Sequence, residues 1–420
     1  MSLVQDSDSR RWLKAPSSEN VVRVRLIDNT GNLCIPSDRF LEPSVKGQEL
    51  LNAVGTCYLI ENVRLQKKAV FDLGLRKDWW NLAPRARSSL ALSAVGVKVD
   101  KDIPEILQSN GIPLSEIDDI IWSHAHLDHT GDPSLFPPTT TLNYGKRIAT
   151  LKPGYPEQLD SVLLTSDFTG RRNNEIDFSQ SALKIGGFTA LDFYGDGSFY
   201  LIDTPGHAPG HLCGLARTTN SHNGQGRDTF VLLAGDSCHF CGVLRPNETY
   251  PFPTSEFPAS ALGVANSGDI KSFLKRHHHF SSSNDFSTES FERARTTPWC
   301  CVSTAEVNIH EDPALAQATA NRLREEFDEA ANVFVALAHD KTLLLNVDGR
   351  TVLPTLNTAP ESDLNEWFER GWKGNLYWSW VSELGPNDST GEVKAMEPHV
   401  VGFWKDGKQY ESGAQIIGEI

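Results

Sequence analysis

The segment SHAHLDHTGD, residues 123–132, places three histidines and an aspartate within six positions. Imidazole nitrogens and carboxylate oxygens are ligands that suit zinc. In an extended turn, residues two apart point the same way, so His124 and His126 can hold one ion. Asp128 and His129 then face a neighbouring ion. A polar loop with an accidental cluster is the alternative, but the chain has only 13 histidines. The segment therefore predicts a metal site.

Three later segments each have the pattern of a buried strand that ends at another metal-ligand residue. They are SFYLIDTPG (198–206), TFVLLAGD (229–236) and NVFVALAHD (332–340). His207 follows the first, Asp236 ends the second and His339 stands near the end of the third. One strand-end histidine alone is weak evidence for a ligand. With the first cluster, however, these residues complete a set of five histidines and two aspartates.

Strand and helix patterns alternate along the chain. Alternating or apolar runs predict further strands in VVRVRLI (21–27), TCYLIEN (56–62), KAVFDLG (68–74), DDIIWS (118–123) and HLCGLAR (211–217). Residues 101–112 and 312–330 have helical spacing, and Asp312 and Pro313 are typical of a helix start. The predicted class is therefore mixed α/β.

The chain divides into three parts by composition. Residues 1–20 are expected to form a polar, loosely attached N-terminal tail, and residues 21–344 the main domain. Within that domain, residues 245–311 are rich in Pro, Ser and His without a clear period, which predicts an irregular insertion of the kind that covers active sites. Residues 345–420 are expected to be an extension packed on the main domain through its tryptophans.

Charge and hydropathy restrict the partners. The formal net charge of -15 opposes binding to a phosphate backbone, so we expect no nucleic-acid partner. The polar start has no apolar signal region and no stretch is long enough for a membrane helix, so we expect no membrane partner and a cytosolic location.

The seven scattered cysteines are typical of free thiols. Cys238 and Cys241 have CxxC spacing, but no second CxxC supports a zinc or redox site there.

The motif His-x-His-x-Asp-His at residues 124–129 resembles that of the metallo-β-lactamase superfamily. The later motifs at His207, Asp236 and His339 follow in the family's order, and Asp72 in VFDLG is similar to its first motif. The resemblance runs from about Thr56 to Leu344 and implies an αββα sandwich of four layers, with the site at one edge of two sheets.

The same resemblance implies a role for each ligand. His124, His126 and His207 would hold the first metal. Asp128, His129 and His339 would hold the second, while Asp236 bridges the two. Asp72 would lie behind the ligands and hold their loop in place. The implied cofactor is two Zn²⁺ ions, with iron or manganese as alternatives.

Two zinc ions favour hydrolysis. A water that bridges them loses its proton near neutral pH, and the resulting hydroxide can attack a carbonyl that one metal polarises. Asp128 is the natural group to receive and pass on the proton. The chain contains no GxSxG motif for a serine nucleophile. We therefore expect a metal-dependent hydrolase that opens a small cyclic ester or amide, a lactone before a lactam.

The resemblance also narrows the type of hydrolase. A bridging aspartate, where the β-lactamases proper usually have cysteine, argues against antibiotic resistance. TPGHAPGH (204–211) is similar to the acyl-homoserine-lactone lactonases, and LRKDWWNLAPR (75–85) to fungal cytosolic members. The lactonases have a substrate-contacting tyrosine three residues after the bridging aspartate, where this chain has His239. That imidazole can donate the same hydrogen bond as a catalytic group, or it can be structural.

Other interpretations remain open at this point. An acyl thioesterase of the polyketide-release type, a phosphodiesterase or nuclease, a non-catalytic scaffold and an oxygen-using iron enzyme all occur or can arise on the same fold. Trp79, Trp80 and Phe240 are candidates for the substrate pocket, although for at least one of them we favour core packing. His211 is expected to hydrogen-bond within its loop. The run from His277 to His279 is expected to be solvated.

Overall fold

The computed structural model describes residues 11–44, 47–222, 226–258, 270–277, 287–385 and 393–419. The strands are β1 Arg23–Pro36, β2 Leu41–Glu42, β3 Leu50–Asn62, β4 Lys67–Phe71, β5 Gly96–Val99, β6 Asp119–Ile121, β7 Thr141–Gly145, β8 Asn173–Ile176, β9 Lys184–Ile185, β10 Phe188–Asp192, β11 Phe199–Asp203, β12 Leu212–Thr219, β13 Thr229–Leu233, β14 Cys301–Val302, β15 Val333–Ala336, β16 Asn346–Val347, β17 Arg350–Thr351, β18 Gly402–Lys405 and β19 Lys408–Tyr410. The helices are α1 Pro84–Ser93, α2 Ile103–Ser109, α3 Leu127–Thr130, α4 Thr165–Phe168, α5 Ile270–His277, α6 Thr288–Thr296, α7 Pro313–Leu323, α8 Trp372–Leu376 and α9 Gly413–Glu419.

Two large sheets contain most of these strands. One has nine strands in the order β19-β18-β5-β1-β3-β4-β6-β7-β8, and the other has six in the order β15-β13-β12-β11-β10-β9. Successive residues of a strand point to opposite faces. In β3, Tyr58 and Ile60 therefore pack against Leu201 of the second sheet, whereas Cys57 and Leu59 pack outward in the cluster that includes α2.

A helix covers the outer face of each sheet. On the second sheet, Ala320 and Leu323 of α7 belong to the same buried cluster as Ile202 and Leu232. The order of layers is thus α2, nine-stranded sheet, six-stranded sheet and α7. The predicted αββα arrangement is confirmed.

The ligand-bearing loops leave strand ends at one edge of the sandwich. Strands β13 and β15 run parallel, with Leu233 opposite Ala336. Asp236 and His339 each lie three residues beyond these paired positions, so the parallel register places both side chains at the same edge. The loop after β6 supplies the first histidine cluster, and the loop after β11 supplies His207.

The C-terminal part does more than pack on the main domain. Strand β18 pairs in parallel with β5, with Phe403 opposite Val97, and β19 extends the sheet beyond it. The expected extension therefore completes the edge of the nine-stranded sheet. Sequence spacing does not reveal such pairing, because the two strands lie about three hundred residues apart.

The insertion and the N-terminal tail also differ from expectation. Residues 245–311, expected to be irregular, contain α5, α6 and β14, and β14 pairs with β2. Residues 11–20 have no regular structure but are attached to the body. Leu13 is buried, its N–H donates to Asn332 Oδ1 over 2.8 Å, and the Arg11 carbonyl accepts from Ala331 over 2.9 Å. Residues 1–10 lie outside the described residues.

A buried ion pair connects the insertion, the end of α7 and the C-terminal part. Arg245 donates to Asp328 through Nε over 3.1 Å and through Nη2 over 2.6 Å. The Tyr377 hydroxyl donates to Asp328 Oδ2 over 3.2 Å. All three side chains are buried. Burial would raise the pKa of Asp328, but the Arg245 guanidinium outweighs it and lowers that pKa.

Candidate metal centre and substrate cavity

The first histidine cluster is shaped by Asp72, at the turn after β4. Asp72 has a left-handed φ of 58°, which aspartate tolerates better than most residues. Its carboxylate accepts from the Ser123 N–H over 2.7 Å and from the Ser123 hydroxyl over 2.8 Å. It also lies 2.9 Å from His129 Nδ1. One carboxylate thus holds the start of the cluster and one of its imidazoles.

One group of side chains comprises His124, His126, His207 and Asp236, whose candidate ligand atoms lie within 4.8 Å of one another. His207 Nε2 is 3.2 Å from His124 Nε2 and 3.0 Å from His126 Nδ1. Burial holds the pKa of His124 and of His207 well below the usual value and lowers that of His126 to about 4. Their rings are therefore neutral, as metal ligands must be.

A second group comprises Asp128, His129 and His339, again with ligand atoms within 4.8 Å of one another. His339 Nε2 lies 3.6 Å from Asp128 Oδ2, and His129 Nε2 lies 4.0 Å from Asp128 Oδ1. Asp128 begins the short helix α3 and is only partly buried, whereas both histidines are buried. The structure thus brings together the three residues that the resemblance assigned to the second metal.

Asp236 lies between the two groups. Its Oδ2 is 3.7 Å from His124 Nε2 and 3.5 Å from His207 Nε2, in the first group. Its Oδ1 is 3.2 Å from both His129 Nε2 and His339 Nε2, in the second group. One carboxylate oxygen therefore faces each group, which is the arrangement that a bridging ligand requires.

The far nitrogens of the imidazoles are occupied by hydrogen bonds. His124 Nδ1 lies 3.0 Å from Ser123 Oγ, His129 Nδ1 lies 2.9 Å from Asp72, and His339 Nδ1 lies 2.8 Å from the Val54 carbonyl. An acceptor behind each ring keeps the proton on Nδ1 and leaves the Nε2 lone pair for a cation. The three rings are thus oriented toward the centre.

The donor set fits divalent cations. His129 Nε2 and Asp236 Oδ1 are buried without a hydrogen-bond partner among the residues that the structure describes. Leaving such a group unpaired costs ~1–3 kcal/mol. Burial alone would raise the pKa of Asp236, but the imidazoles of His129, His339 and His239 hold it well below its usual value. Asp236 therefore stabilises positive charge beside both of its oxygens.

The Asp236 carboxylate also raises the pKa values of the two histidines in the second group. Burial lowers the pKa of His339, yet Asp236 outweighs it and raises that pKa to about 9. For His129, Asp236 and Asp72 overcome burial and hold the pKa well above its usual value. The raised pKa values favour a proton on both rings, and a cation at their Nε2 atoms would take the place of that proton. Nitrogen and oxygen donors around the Asp236 carboxylate match the chemistry of zinc, iron and manganese sites.

A cavity of about 290 Å³ opens onto these groups. His126, Asp128, Asp236, His239 and His339 form its polar floor. Its walls are mainly apolar and include Leu33, Ile35, Phe40, Leu51, Ala53, Leu90, Val162 and Ile309, with Arg39 and Arg85 as charged exceptions. The sequence did not indicate these wall residues, because they come from separate elements and have no common motif.

His239 lies in the cavity floor but faces the carboxylate of Asp236. Its Nε2 is 3.1 Å from Asp236 Oδ2, and its ring lies 4.5 Å from that of Phe40. It also belongs to a third group of neighbouring histidines, with His207 and His310. The sequence analysis missed His310, because a lone histidine in the polar segment NIHEDP carries no local signal.

Trp79, Trp80 and Phe240 do not line this cavity, contrary to the expectation for the substrate pocket. Trp79 is fully buried and donates from Nε1 to the Trp404 carbonyl over 3.0 Å. Trp80 packs edge-on against Trp79, and the buried Phe240 packs against Trp380. Trp79 and Phe240 are thus core residues, and the half-buried Trp80 packs against the same core.

The other histidines and the cysteines that the sequence analysis considered lie outside the two candidate metal groups. His211 Nδ1 lies 2.9 Å from Thr204 Oγ1, and its Nε2 accepts the Asp236 backbone N–H over 3.0 Å, so it hydrogen-bonds as expected. His277 ends α5, and residues 278–279 lie outside the described residues. All seven cysteines, including Cys238 and Cys241, are free thiols. Within the described residues, no helix combines the length and apolar character needed to cross a membrane.

Comparison with known proteins gives three findings. Residues 52–218 match the family described as Metallo-beta-lactamase superfamily. Gamma-lactamase FDB1 of Fusarium pseudograminearum (strain CS3096) is 36% identical over 396 residues, which cover 91% of this chain and 89% of that protein. Cytochrome P450 monooxygenase mpaDE' of Penicillium brevicompactum is 35% identical over 380 residues, 89% of this chain but only 38% of that protein.

Among solved structures, a B. thuringiensis AiiA mutant with N-decanoyl-L-homoserine bound at its active site aligns over 79% of this chain and 100% of its own. The TM-score is 0.47 and the sequence identity 15%.

Proposed function

The chain belongs to the metallo-beta-lactamase superfamily, and on that premise we propose that it is a dinuclear zinc hydrolase that opens the ring of a small lactam or lactone. It is a hydrolase of the lactamase and lactonase type. The number of metal ions, their identity and the substrate are the proposed part. Iron or manganese is the alternative to zinc, since the same ligands accept both.

The position of Asp236 carries the proposal. Its two oxygens face two separate groups, with His124 and His207 beside Oδ2, and His129 and His339 beside Oδ1. A single-metal site needs only one such group. The orphaned His129 Nε2 supports a cation in the second group as well.

The residues of the floor supply the remaining chemistry. Divalent cations held there would lower the pKa of a water and polarise a carbonyl oxygen. Asp128 lies at the cavity and is partly exposed, so its carboxylate can accept a proton from the attacking water and return it to the leaving nitrogen or oxygen. His239 is placed to donate a hydrogen bond to the carbonyl oxygen, although its Nε2 faces Asp236 in this structure.

The walls of the cavity restrict the substrate class. About 290 Å³ accommodates a small molecule, and the mainly apolar lining favours one with a largely hydrocarbon body. The sequence alone ranked lactones before lactams. The name of the 36% identical relative, a gamma-lactamase, favours a five-membered cyclic amide, so we place γ-lactams first and γ-lactones second.

A metal-resolved hydrolysis screen tests this proposal. Protein purified without chelator is analysed for zinc, iron and manganese, then assayed on matched γ-lactams, γ-lactones and acyl thioesters. We expect close to two zinc ions per chain and ring opening that chelator abolishes and zinc restores. Hydrolysis of thioesters alone, or activity that persists after metal removal, would contradict the proposal. His222→Ala, which removes a histidine near the surface that contacts Ser17, serves as the control variant.

We also propose a cytosolic location. Seven free thiols, six of them buried, are typical of a reducing compartment. Fractionation of the source cells tests it, and recovery in the secreted fraction would contradict it.

A further inference from the structure

Three of the candidate ligand imidazoles have an oxygen acceptor behind them, but His207 does not. The acceptors behind these three rings, those of His124, His129 and His339, are Ser123 Oγ, Asp72 and the Val54 carbonyl. Behind His207, the neighbouring atom is a nitrogen. His207 Nδ1 lies 3.1 Å from Nδ1 of His310, and both residues are buried.

We infer that His310 is a positioning residue that sets the tautomer and orientation of His207, so that the insertion 245–311 supports the first metal group. This inference rests on the metal assignment of the proposed function. The hydrogen-bond contact of His310 with that group is to His207. His310 acts through His207.

The directions of the ring nitrogens lead to this role. His207 Nε2 points toward His124 and His126, at 3.2 and 3.0 Å, so its lone pair belongs to the metal group. The ring proton of neutral His207 must then be on Nδ1. Two N–H groups cannot hydrogen-bond to each other, and His310 Nδ1 is therefore the acceptor.

His310 is held where this hydrogen bond requires it. The Glu311 N–H donates to the His207 carbonyl over 2.8 Å, and the Asp312 N–H donates to the Gly206 carbonyl over 2.9 Å. On the surface, the Arg147 guanidinium contacts both carboxylate oxygens of Glu311, at 2.9 and 2.5 Å. The end of the insertion is thus tied to the His207 loop by two backbone hydrogen bonds, and to Arg147, which follows β7, by an ion pair.

The His310 ring also packs against the rings of His207 and His239. Its centroid lies 5.1 Å from that of His207 and 5.5 Å from that of His239. Its Nε2 is buried without a hydrogen-bond partner among the described residues. Burying an unpaired ring nitrogen costs free energy that an apolar side chain of similar size would avoid, so packing alone does not explain a histidine here. The hydrogen bond between His310 Nδ1 and His207 does explain it, because an apolar side chain could not accept the proton of His207.

Metal retention by full-length, zinc-loaded protein tests the inference without any substrate. The wild type, His310→Ala and His310→Asn are challenged with increasing chelator, and bound zinc is counted. Loss of an outer hydrogen bond typically lowers metal affinity ~10–100-fold. We expect His310→Ala to release one of its two zinc ions at a ~10–100-fold lower chelator concentration than the wild type. The other zinc ion should remain bound to a higher chelator concentration. We expect His310→Asn, whose amide oxygen can still accept from His207, to recover most of the loss.

The controls separate positioning from folding. His222→Ala should retain zinc like the wild type, and circular dichroism should show native content in every variant. If His310→Ala unfolds, His310→Asn and His310→Leu, which is similar in bulk but has no acceptor, provide the same comparison. Equal zinc retention by the acceptor and non-acceptor variants would overturn the inference. A negative hydrolysis screen would instead contradict the substrate proposal and leave this result unchanged.

Discussion

Two buried aspartates of this protein lie in opposite situations. Asp328 has partners for both carboxylate oxygens, since Arg245 donates to each of them and Tyr377 donates to one. Asp236 is also buried. Two imidazole nitrogens lie 3.2 Å from its Oδ1, but among the described residues none makes a hydrogen bond of suitable geometry to that oxygen. Both carboxyl groups have pKa values below the ordinary one.

The difference separates a structural site from a functional one. The charge of Asp328 is balanced by one guanidinium in a fixed fork, so nothing further needs to bind. Around Asp236, several imidazoles converge on one carboxylate and a cavity opens beside them. Buried polar groups that the protein itself leaves unsatisfied indicate a ligand. We therefore expect substitution of Asp236 to affect function, and substitution of Asp328 to affect stability.

The largest effect is expected for Asp236→Ala. Loss of the shared carboxylate leaves two cations without a common ligand, so the protein should retain at most one zinc. Hydrolysis should fall by more than ~1,000-fold, beyond the cost of losing a single oxyanion donor. Elemental analysis and turnover measure the two effects. Asp203→Ala, at the end of β11 and outside the cavity, is the matched control. Full metal content with full activity would show that another carboxylate bridges.

Asp328→Ala should lower stability and leave metal content unchanged, in contrast to Asp236→Ala. It leaves the buried Arg245 guanidinium uncompensated, which typically costs ~3–5 kcal/mol of the free energy of unfolding. Urea unfolding measures the loss, and zinc content per folded chain should remain that of the wild type. The control is Glu325→Ala, which removes an exposed carboxylate. A stability change below ~1 kcal/mol, the value expected of a surface pair, would contradict the assigned role.

Asp72→Asn should give an intermediate effect on metal binding. Asparagine also tolerates the left-handed backbone, but only one of its two terminal atoms is an acceptor. Its NH2 group must therefore face either the Ser123 N–H or the Ser123 hydroxyl and His129 Nδ1. We expect zinc affinity to fall ~10–100-fold, with little loss of fold. Titration against a chelator checks this, with the surface variant Asp118→Asn as control. Unchanged affinity would mean that Asp72 does not orient the ligands.

The smallest effect is a pH dependence at Asp328. Its folded pKa lies below the unfolded value, so the carboxylate contributes stability above that value and loses it as pH falls through the folded pKa. The difference in free energy of unfolding between wild type and Asp328→Asn should therefore be constant near neutral pH and narrow below pH ~4. Unfolding curves from pH 7 to pH 3 measure it. A gap that widens in acid would reverse the predicted sign.

The metal-ligand residues could be predicted because each belongs to a local pattern. Four lie in one decapeptide, and the others follow apolar strands of four or five residues. Strand ends at one edge of a sandwich meet in space, so the order of motifs was sufficient to bring His207, Asp236 and His339 to the first cluster. Their assignment as metal ligands stays a prediction until metal is measured.

The sequence by itself determined the mixed α/β class and the candidate ligands, because these depend on periodicity and on residues close together in the chain. The αββα layers were implied by the resemblance of the ligand motifs to the metallo-β-lactamase superfamily. Only the tertiary structure decided which residues surround the candidate ligands. Pairing of β18 with β5, the core positions of Trp79 and Phe240, and the contact of His310 with His207 all join segments far apart in the chain. Such contacts depend on how the layers pack, which no local pattern encodes.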